Sequence, residues 1–491
     1  MSEWLAGLPP PPPPAEPRPA AAVILWRERP GGRELFWVLR GEALSFAGGF
    51  YAFPGGRLDP ADASVPVPGL EGETAAFAAC ACRELFEETG VLLARGTGRL
   101  SRAERDEGRR AALADHRGFG AFLSAKRLSL DASRLEPAGR WVTPVSNPVR
   151  FDARFFTARM PEGEEASVWP GELSAGEFVS PSRALELWER GDVLLHPSNW
   201  WSIHCLSRAA PPQALESLRN PPPDLRIEFQ RGIWNEALRT PTLPPATHTN
   251  CWVLDLSDGT AVVDPGSPYP EEQERLDRFL DGLAAEGRPP REVWLTHHHA
   301  DHVGGAARLS ARGLEVLAHP LTATRVGLEA RPVREGDLLH GRWRALHTPG
   351  HAPGHLAFHD ERTGALLAGD MVSTLSTIVI DPPLGDMAEY LRQLERLRSL
   401  RPRTLFPAHG PPAPNGPGKL EEYIAHRRAR EEKVLRALGS GGTLGEVTRL
   451  AYDDTPAAAL PAAERSCLAS LQKLCAEGRA RLDGERWSLV R

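Results

Sequence analysis

A chain of 491 residues is too long for one hydrophobic core; at roughly 100–200 residues per domain, two to four domains are expected. Its 41% hydrophobic and 25% charged residues are those of a globular protein, and a formal charge of −6 argues against a general nucleic-acid-coating role. No apolar run reaches the ~20 residues of a membrane span, and six scattered cysteines make no disulfide framework, so a cytoplasmic protein with reduced thiols and no membrane partner is expected.

The opening "MSEWLAGLPPPPPPAEPRPAAA" has neither a basic start nor an apolar signal core, so residues 1–19 read as a disordered, proline-rich tail. A first domain, residues 20–208, follows. "AAVILWRE" and "ELFWVLR" are strands around the "RPGGR" turn, and "YAFPGGRLDPAD" is a turn-rich loop. "TAAFAACACRELFEETGVLL" has helical periodicity with Gly90 as its stop. "RWVTPV" and "ARFFTARM" are further strands, and "SPSRALELWERG" is a capped helix. The proline-rich stretch at 209–225 reads as a linker. From 226 to 415 strand and helix patterns alternate, which predicts a layered α/β domain. Residues 416–491 hold three helical runs and a small hairpin around "DGE", the order of a winged helix. The fold class is thus α/β and α+β, multidomain.

In the first domain "RELFEETGV" places Glu84, Glu87 and Glu88 at i, i+3 and i+4, on one helix face. Three carboxylates repel unless a cation sits among them, and hard oxygen donors suit Mg²⁺ or Mn²⁺. Arg83 pins the cluster from behind, and the glycines of "PGG" at 54–56 let backbone come close.

In the central domain "LTHHHADHVGG" supplies His297, His299, Asp301 and His302 from one turn. His297 and His299, two apart, leave an extended segment on the same side. Asp301 and His302 project differently, which suits a second ion about 3.5–4 Å from the first, and such a pair can activate a shared water. "HTPGHAPGH", "LLAGD" and "LFPAHG" add His351, Asp370 and His409 at strand ends. His355 is a candidate substrate contact or a structural residue. These donors fit Zn²⁺; iron and manganese fit them too.

This order of motifs over residues ~245–412 resembles the metallo-β-lactamase superfamily, and the helical C-terminus is similar to the β-lactamase-like protein 2 group. The resemblance implies an αβ/βα four-layer sandwich. His297, His299 and His351 would bind one zinc and Asp301, His302 and His409 the other, with Asp370 between them. Asp301 would also orient the attacking water, and Asp264 in "AVVDPGSP" would orient ligands through hydrogen bonds. Acyl and phosphoryl substrates are both expected. The group includes single-strand endoribonucleases, and "HRRAR" at 426–430 is compatible with RNA.

"FPGG…REL-x-EE-x-G-V" resembles the Nudix box, and its inserted "RLDPADASVPVPGLEGETA" is similar to the subfamily of coenzyme A diphosphatases. An α/β/α sandwich and cleavage of a nucleoside-diphosphate-linked or coenzyme A-like substrate are implied, with Glu87 and Glu88 catalytic and Glu172 completing the base machinery. Ala75 stands where that box has a glutamate, so Glu71 or Glu73 is the expected partner of Arg83. Arg150 and Arg154 are candidate phosphate contacts. The alternative is a non-catalytic nucleotide or coenzyme A sensor that regulates the central hydrolase. Expected partners are small phosphate or acyl substrates, single-stranded RNA and a second copy of the chain.

Overall fold

The computed structural model describes residues 13–42, 44, 47–169 and 171–490. Of the expected tail, residues 1–12 lie outside the described residues, and Arg18 and Pro19 already belong to a strand. The chain divides into two compact units, Pro14–Arg231 and Gly232–Arg491.

The first unit is built on strands β1 (Arg18–Arg29), β2 (Gly32–Arg40), β3 (Tyr51–Ala52) and β4 (Gly55–Arg57), then helix α1 (Gly72–Thr89). A short ladder of β5 (Ala94–Arg95) and β6 (Ser129–Leu130) flanks α2 (Arg102–Ala114) and α3 (Arg117–Ala125). β7 (Glu136–Val142), β8 (Phe151–Arg159), β9 (Leu173–Val179), helices α4 (Pro181–Glu189), α5 (Pro197–Arg208) and α6 (Pro211–Arg219), and β10 (Ile227–Gln230) complete it. Seven strands form one mixed sheet of order β3-β2-β1-β8-β7, with β4 on β1 and β9 on β2. Strand alternation gives β1 two apolar faces. Val23 and Leu25 meet α1 and α3 on one side, and Ile24 meets α4, α5 and α6 on the other.

The linker expected at 209–225 is instead mostly α6, an integral part of this unit. Trp201 Nε1 of α5 donates to the Ser217 carbonyl, and Arg219 Nε donates to the Pro137 carbonyl of β7. Proline misleads here because Pro211 occupies the first helical turn, where its missing N–H costs nothing.

The second unit opens with β11 (Ile233–Arg239), β12 (His248–Asp255), β13 (Thr260–Val263), α7 (Pro270–Ala285) and β14 (Pro290–Leu295). α8 (Ala300–Val303), α9 (Ala306–Ala311), β15 (Glu315–Ala318), α10 (Pro320–Val326) and β16 (Arg331–Pro332) finish this half, in which β11 to β16 pair in chain order. A second sheet holds β17 (Leu338–Leu339), β18 (Trp343–His347), β19 (Leu356–Asp360), β20 (Ala365–Gly369) and, after α11 (Met387–Ser399), β21 (Thr404–Pro407). The two sheets face each other through Trp252 on Phe406 and Trp294 on Trp343 and Phe358. Helices α7 and α9 cover one outer face, α11 the other, which makes four layers.

The C-terminal part holds α12 (Gly416–Leu438), α13 (Leu444–Ala451), α14 (Leu460–Ala476) and the hairpin of β22 (Ala480–Asp483) and β23 (Arg486–Leu489), a winged helix. It is not a free-standing module beginning at 416. Leu420, Tyr423 and Ile424 of α12 belong to the core under α11, while Val434 and Leu438 belong to the winged-helix core. One 23-residue helix therefore welds the two parts together.

Candidate functional site

The first unit carries a cavity of about 770 Å³ between the sheet and the start of α5. Glu84 and Glu87 of α1 line it, with Glu172, His116, Arg18, Arg40 and Arg57. Strand β4 comes close to this helix face: a Cβ on Gly56 would lie 2.5 Å from the Glu84 carboxylate, and the Gly55 N–H donates to Glu88 Oε2 at 2.9 Å. Burial pushes the Glu84 carboxyl up to about 7 and Glu88 up to about 8, the neighbouring carboxylates adding to it.

Arg83 is fully buried beneath the cluster and donates to Glu84 and Glu87 at 2.8 and 3.0 Å. Its main partner is neither Glu71 nor Glu73. Asp62, from a short 3₁₀ turn in the insert, accepts from its Nε and Nη2 at 2.7 and 2.9 Å. Glu73 lies instead 3.7 Å from Arg154. Arg109, also buried, donates to the carbonyls of Glu87 and Glu88 and so fixes the end of α1.

Neither Arg150 nor Arg154, the candidate phosphate contacts, lines this cavity. Arg150 donates to the carbonyls of Thr143 and Ala15, and Arg154 covers the Phe77 ring. Residue type alone did not reveal where these guanidinium groups turn.

In the second unit the seven expected donors converge. His297 and His299 follow β14, Asp301 and His302 sit on α8, His351 follows β18, Asp370 follows β20 and His409 follows β21. His297 Nε2 and His351 Nε2 each lie 2.9 Å from His299 Nδ1. Asp370 is 3.5 Å from both His351 Nε2 and His409 Nε2 and 3.6 Å from His302 Nε2, so it stands between two groups of donors. Those groups are His297, His299, His351 and Asp370, and Asp301, His302 and His409; within each, the ligand atoms lie within 4.8 Å of one another.

Backbone and neighbours aim these rings. Asp264 accepts from the Thr296 N–H and hydroxyl at 2.8 and 2.6 Å and meets His302 Nδ1 at 2.8 Å. Nδ1 of His351 donates to the Val379 carbonyl and that of His409 to the His248 carbonyl. Each fixed Nδ1–H leaves Nε2 as a lone-pair donor toward the centre. His302 Nε2 and Asp370 Oδ1 are buried with no hydrogen-bond partner. Buried polar atoms of this kind are costly unless something charged completes them, which fits a metal. Burial holds His297 and His299 neutral, well below the ordinary imidazole range. For His302 burial opposes the charge, but Asp370, Asp301 and Asp264 outweigh it.

His355 takes the structural one of its two candidate roles. It is fully buried, its Nδ1 is 2.8 Å from Thr348 Oγ1, and its Nε2 accepts the Asp370 N–H at 3.1 Å. It therefore positions Asp370.

The profile of the Metallo-beta-lactamase superfamily matches residues 244–409, and that of the Beta-lactamase associated winged helix domain matches 443–487. The lactamase-like protein nscB of Trichophyton rubrum is 31% identical over 252 residues, covering 46% of this chain and 76% of that protein. The chain belongs to the metallo-β-lactamase superfamily. A Beta-lactamase-like protein 2 homolog of Caenorhabditis elegans is 27% identical over 47% of this chain and 79% of its own length. A NUDIX hydrolase structure from Alicyclobacillus acidocaldarius is 29% identical over 42% of this chain and 99% of its own, with a TM-score of 0.38.

This member of the superfamily is a hydrolase, similar to the β-lactamase-like protein 2 group and carrying a metal-type His/Asp centre. Among its described residues no helix is long and apolar enough to cross a membrane. Two contributors escaped sequence reasoning. Asp62 lay in an insert without a pattern to mark it. His116, whose Nδ1 is 3.3 Å from Arg83 and 3.4 Å from Glu87, is a lone histidine with no signal around it.

Proposed function

We propose that the chain joins two metal-dependent hydrolases: a Nudix-type diphosphatase at Pro14–Arg231 and a dinuclear zinc hydrolase at Gly232–Arg491. The second reading is supported above all by His302 Nε2 and Asp370 Oδ1, both buried without a hydrogen bond inside a ring of imidazoles. His297, His299 and His351 would hold one Zn²⁺, Asp301, His302 and His409 the other, and Asp370 both. When bound, the pair supplies a water of lowered pKa and a Lewis acid for the scissile group. Asp301, only part-buried, would orient the attacking water through its carboxylate.

A small ester or thioester is favoured over RNA as its substrate. The "HRRAR" run that suggested RNA is already engaged: Arg427 is buried on the Ile378 carbonyl, Arg428 pairs with Glu395, and Arg430 bonds Ala451 and Asp454. In the first unit, Glu84, Glu87 and Glu88 would hold Mg²⁺ or Mn²⁺, which neutralises a diphosphate. Arg18, Arg40 and Arg57 give the same cavity a cationic side for phosphate, and Trp141 and Phe151 give it flat apolar walls. A nucleoside-diphosphate-linked or coenzyme A-like molecule fits this lining. Glu172 would act as base.

The purified chain is assayed against thioesters, RNA, nucleoside diphosphate derivatives and coenzyme A. His299→Ala is expected to abolish the first activity and Glu87→Gln the diphosphatase, each sparing the other. Tight nucleotide binding without turnover in the wild type would replace the diphosphatase by a sensor.

A further inference from the structure

Three consecutive residues between β20 and α11 have unlike partners. The Ile378 carbonyl accepts from Arg427 Nη2 of α12. The Val379 carbonyl accepts from His351 Nδ1 at 2.9 Å. The Ile380 N–H donates to Ser466 Oγ of α14 at 3.2 Å. The segment is thus gripped on both sides of the one peptide that orients a candidate ligand.

The grip extends along the segment. Tyr423 of α12 takes the Ser373 N–H at 2.7 Å on its hydroxyl, which lies 2.9 Å from the Ser373 carbonyl. Tyr390 of α11 donates to the Met371 carbonyl, one residue past Asp370. Arg465 of α14 bonds Asp381 and the Pro382 carbonyl. Arg427, Tyr423 and Ser466 are all buried, so water cannot replace a lost partner. The winged-helix part therefore supplies side chains that no solvent-facing, partner-seeking domain would need to bury here.

We propose that Arg427 and Ser466 are positioning residues for the metal centre: the C-terminal helices fix the 378–380 backbone, and through it the tautomer and aim of His351. This rests on the metal reading above. Loss of a hydrogen bond that orients a metal-binding imidazole typically weakens the metal 10–100-fold. A purely architectural contact would lower the melting temperature without favouring either ion.

The test is Co²⁺ titration of metal-free full-length protein, followed by its visible absorbance and by chelator competition. Wild type is expected to take two Co²⁺. Arg427→Met and Ser466→Ala are expected to weaken one of the two about 10–100-fold and leave the other within about twofold. Arg427→Lys, which keeps a donor, should recover part of the loss. Arg428→Met, on the exposed side of the same helix, should change neither step. Folded variants with both steps unchanged, or both weakened alike, overturn the proposal, and Ser466→Ala alone decides it if Arg427→Met does not fold. A wild type that takes no Co²⁺ overturns the metal reading itself.

Discussion

Asp62→Ala removes the main partner of a guanidinium that has no access to water. Arg83 and Asp62 are 0% and 1% exposed, and two hydrogen bonds of 2.7 and 2.9 Å join them. Breaking a buried pair costs about 3–5 kcal/mol, because the remaining charge stays buried. Glu84, Glu87 and the Arg57 carbonyl still accept from Arg83, which places the cost near the lower end, ~3 kcal/mol. For a unit of 150–250 residues each kcal/mol moves the melting temperature by about 2–4 °C, so a fall of roughly 6–12 °C is expected. Calorimetry of the full chain in chelator reads it. Asp152→Ala, which breaks an exposed pair with Arg140, serves as the control and should produce no resolvable shift. A double-mutant cycle with Arg83→Met should return a coupling of at least about 2 kcal/mol. If Asp62→Ala melts within 2 °C of Asp152→Ala, by roughly the resolution such comparisons need, the account of Asp62 as anchor of the carboxylate helix is wrong.

His299→Ala removes the nitrogen that both His297 and His351 approach; it should lower zinc content by about one ion per chain, read by elemental analysis, and retention of full content would refute the ligand set. Gly369 has φ +50°, and a Cβ there would meet His355 Nε2 at 2.5 Å. Gly369→Ala should therefore cost roughly 1–3 kcal/mol and displace Asp370, weakening metal at least about tenfold in chelator competition. With Glu84 and Glu88 raised to about 7 and 8 from an ordinary 4.5, the folded metal-free unit binds protons more tightly than the unfolded chain. That contribution is complete below pH 4.5 and disappears as pH rises through 7 and 8, so melting in chelator should fall from pH 5 to 8.5 and Mg²⁺ should flatten the fall. A pH-independent melting curve in chelator would contradict it.

The metal centre was legible in the sequence because its donors sit in short local motifs whose spacing alone limits their direction. His297, His299, Asp301 and His302 needed only a turn, and His351, Asp370 and His409 each follow a strand. What depended on tertiary neighbours was not legible. Asp62 reaches Arg83, 21 residues further on, from an insert with no regular period. Arg427 stands in a run of charges that reads as a solvated face, yet α12 turns that residue inward. His355 shares its loop with a ligand, and only the fold shows its ring occupied on both nitrogens.

Asp264 has a left-handed backbone, φ +50°, at a position where glycine would rest more easily. Its carboxylate nonetheless serves the Thr296 amide, the Thr296 hydroxyl and the His302 ring together. Chemistry and conformational comfort thus pull this residue in opposite directions. A library ranked by heat tolerance alone would drift toward glycine or asparagine at 264 and quietly discard the enzyme, so any stabilisation campaign on this scaffold should hold that position fixed.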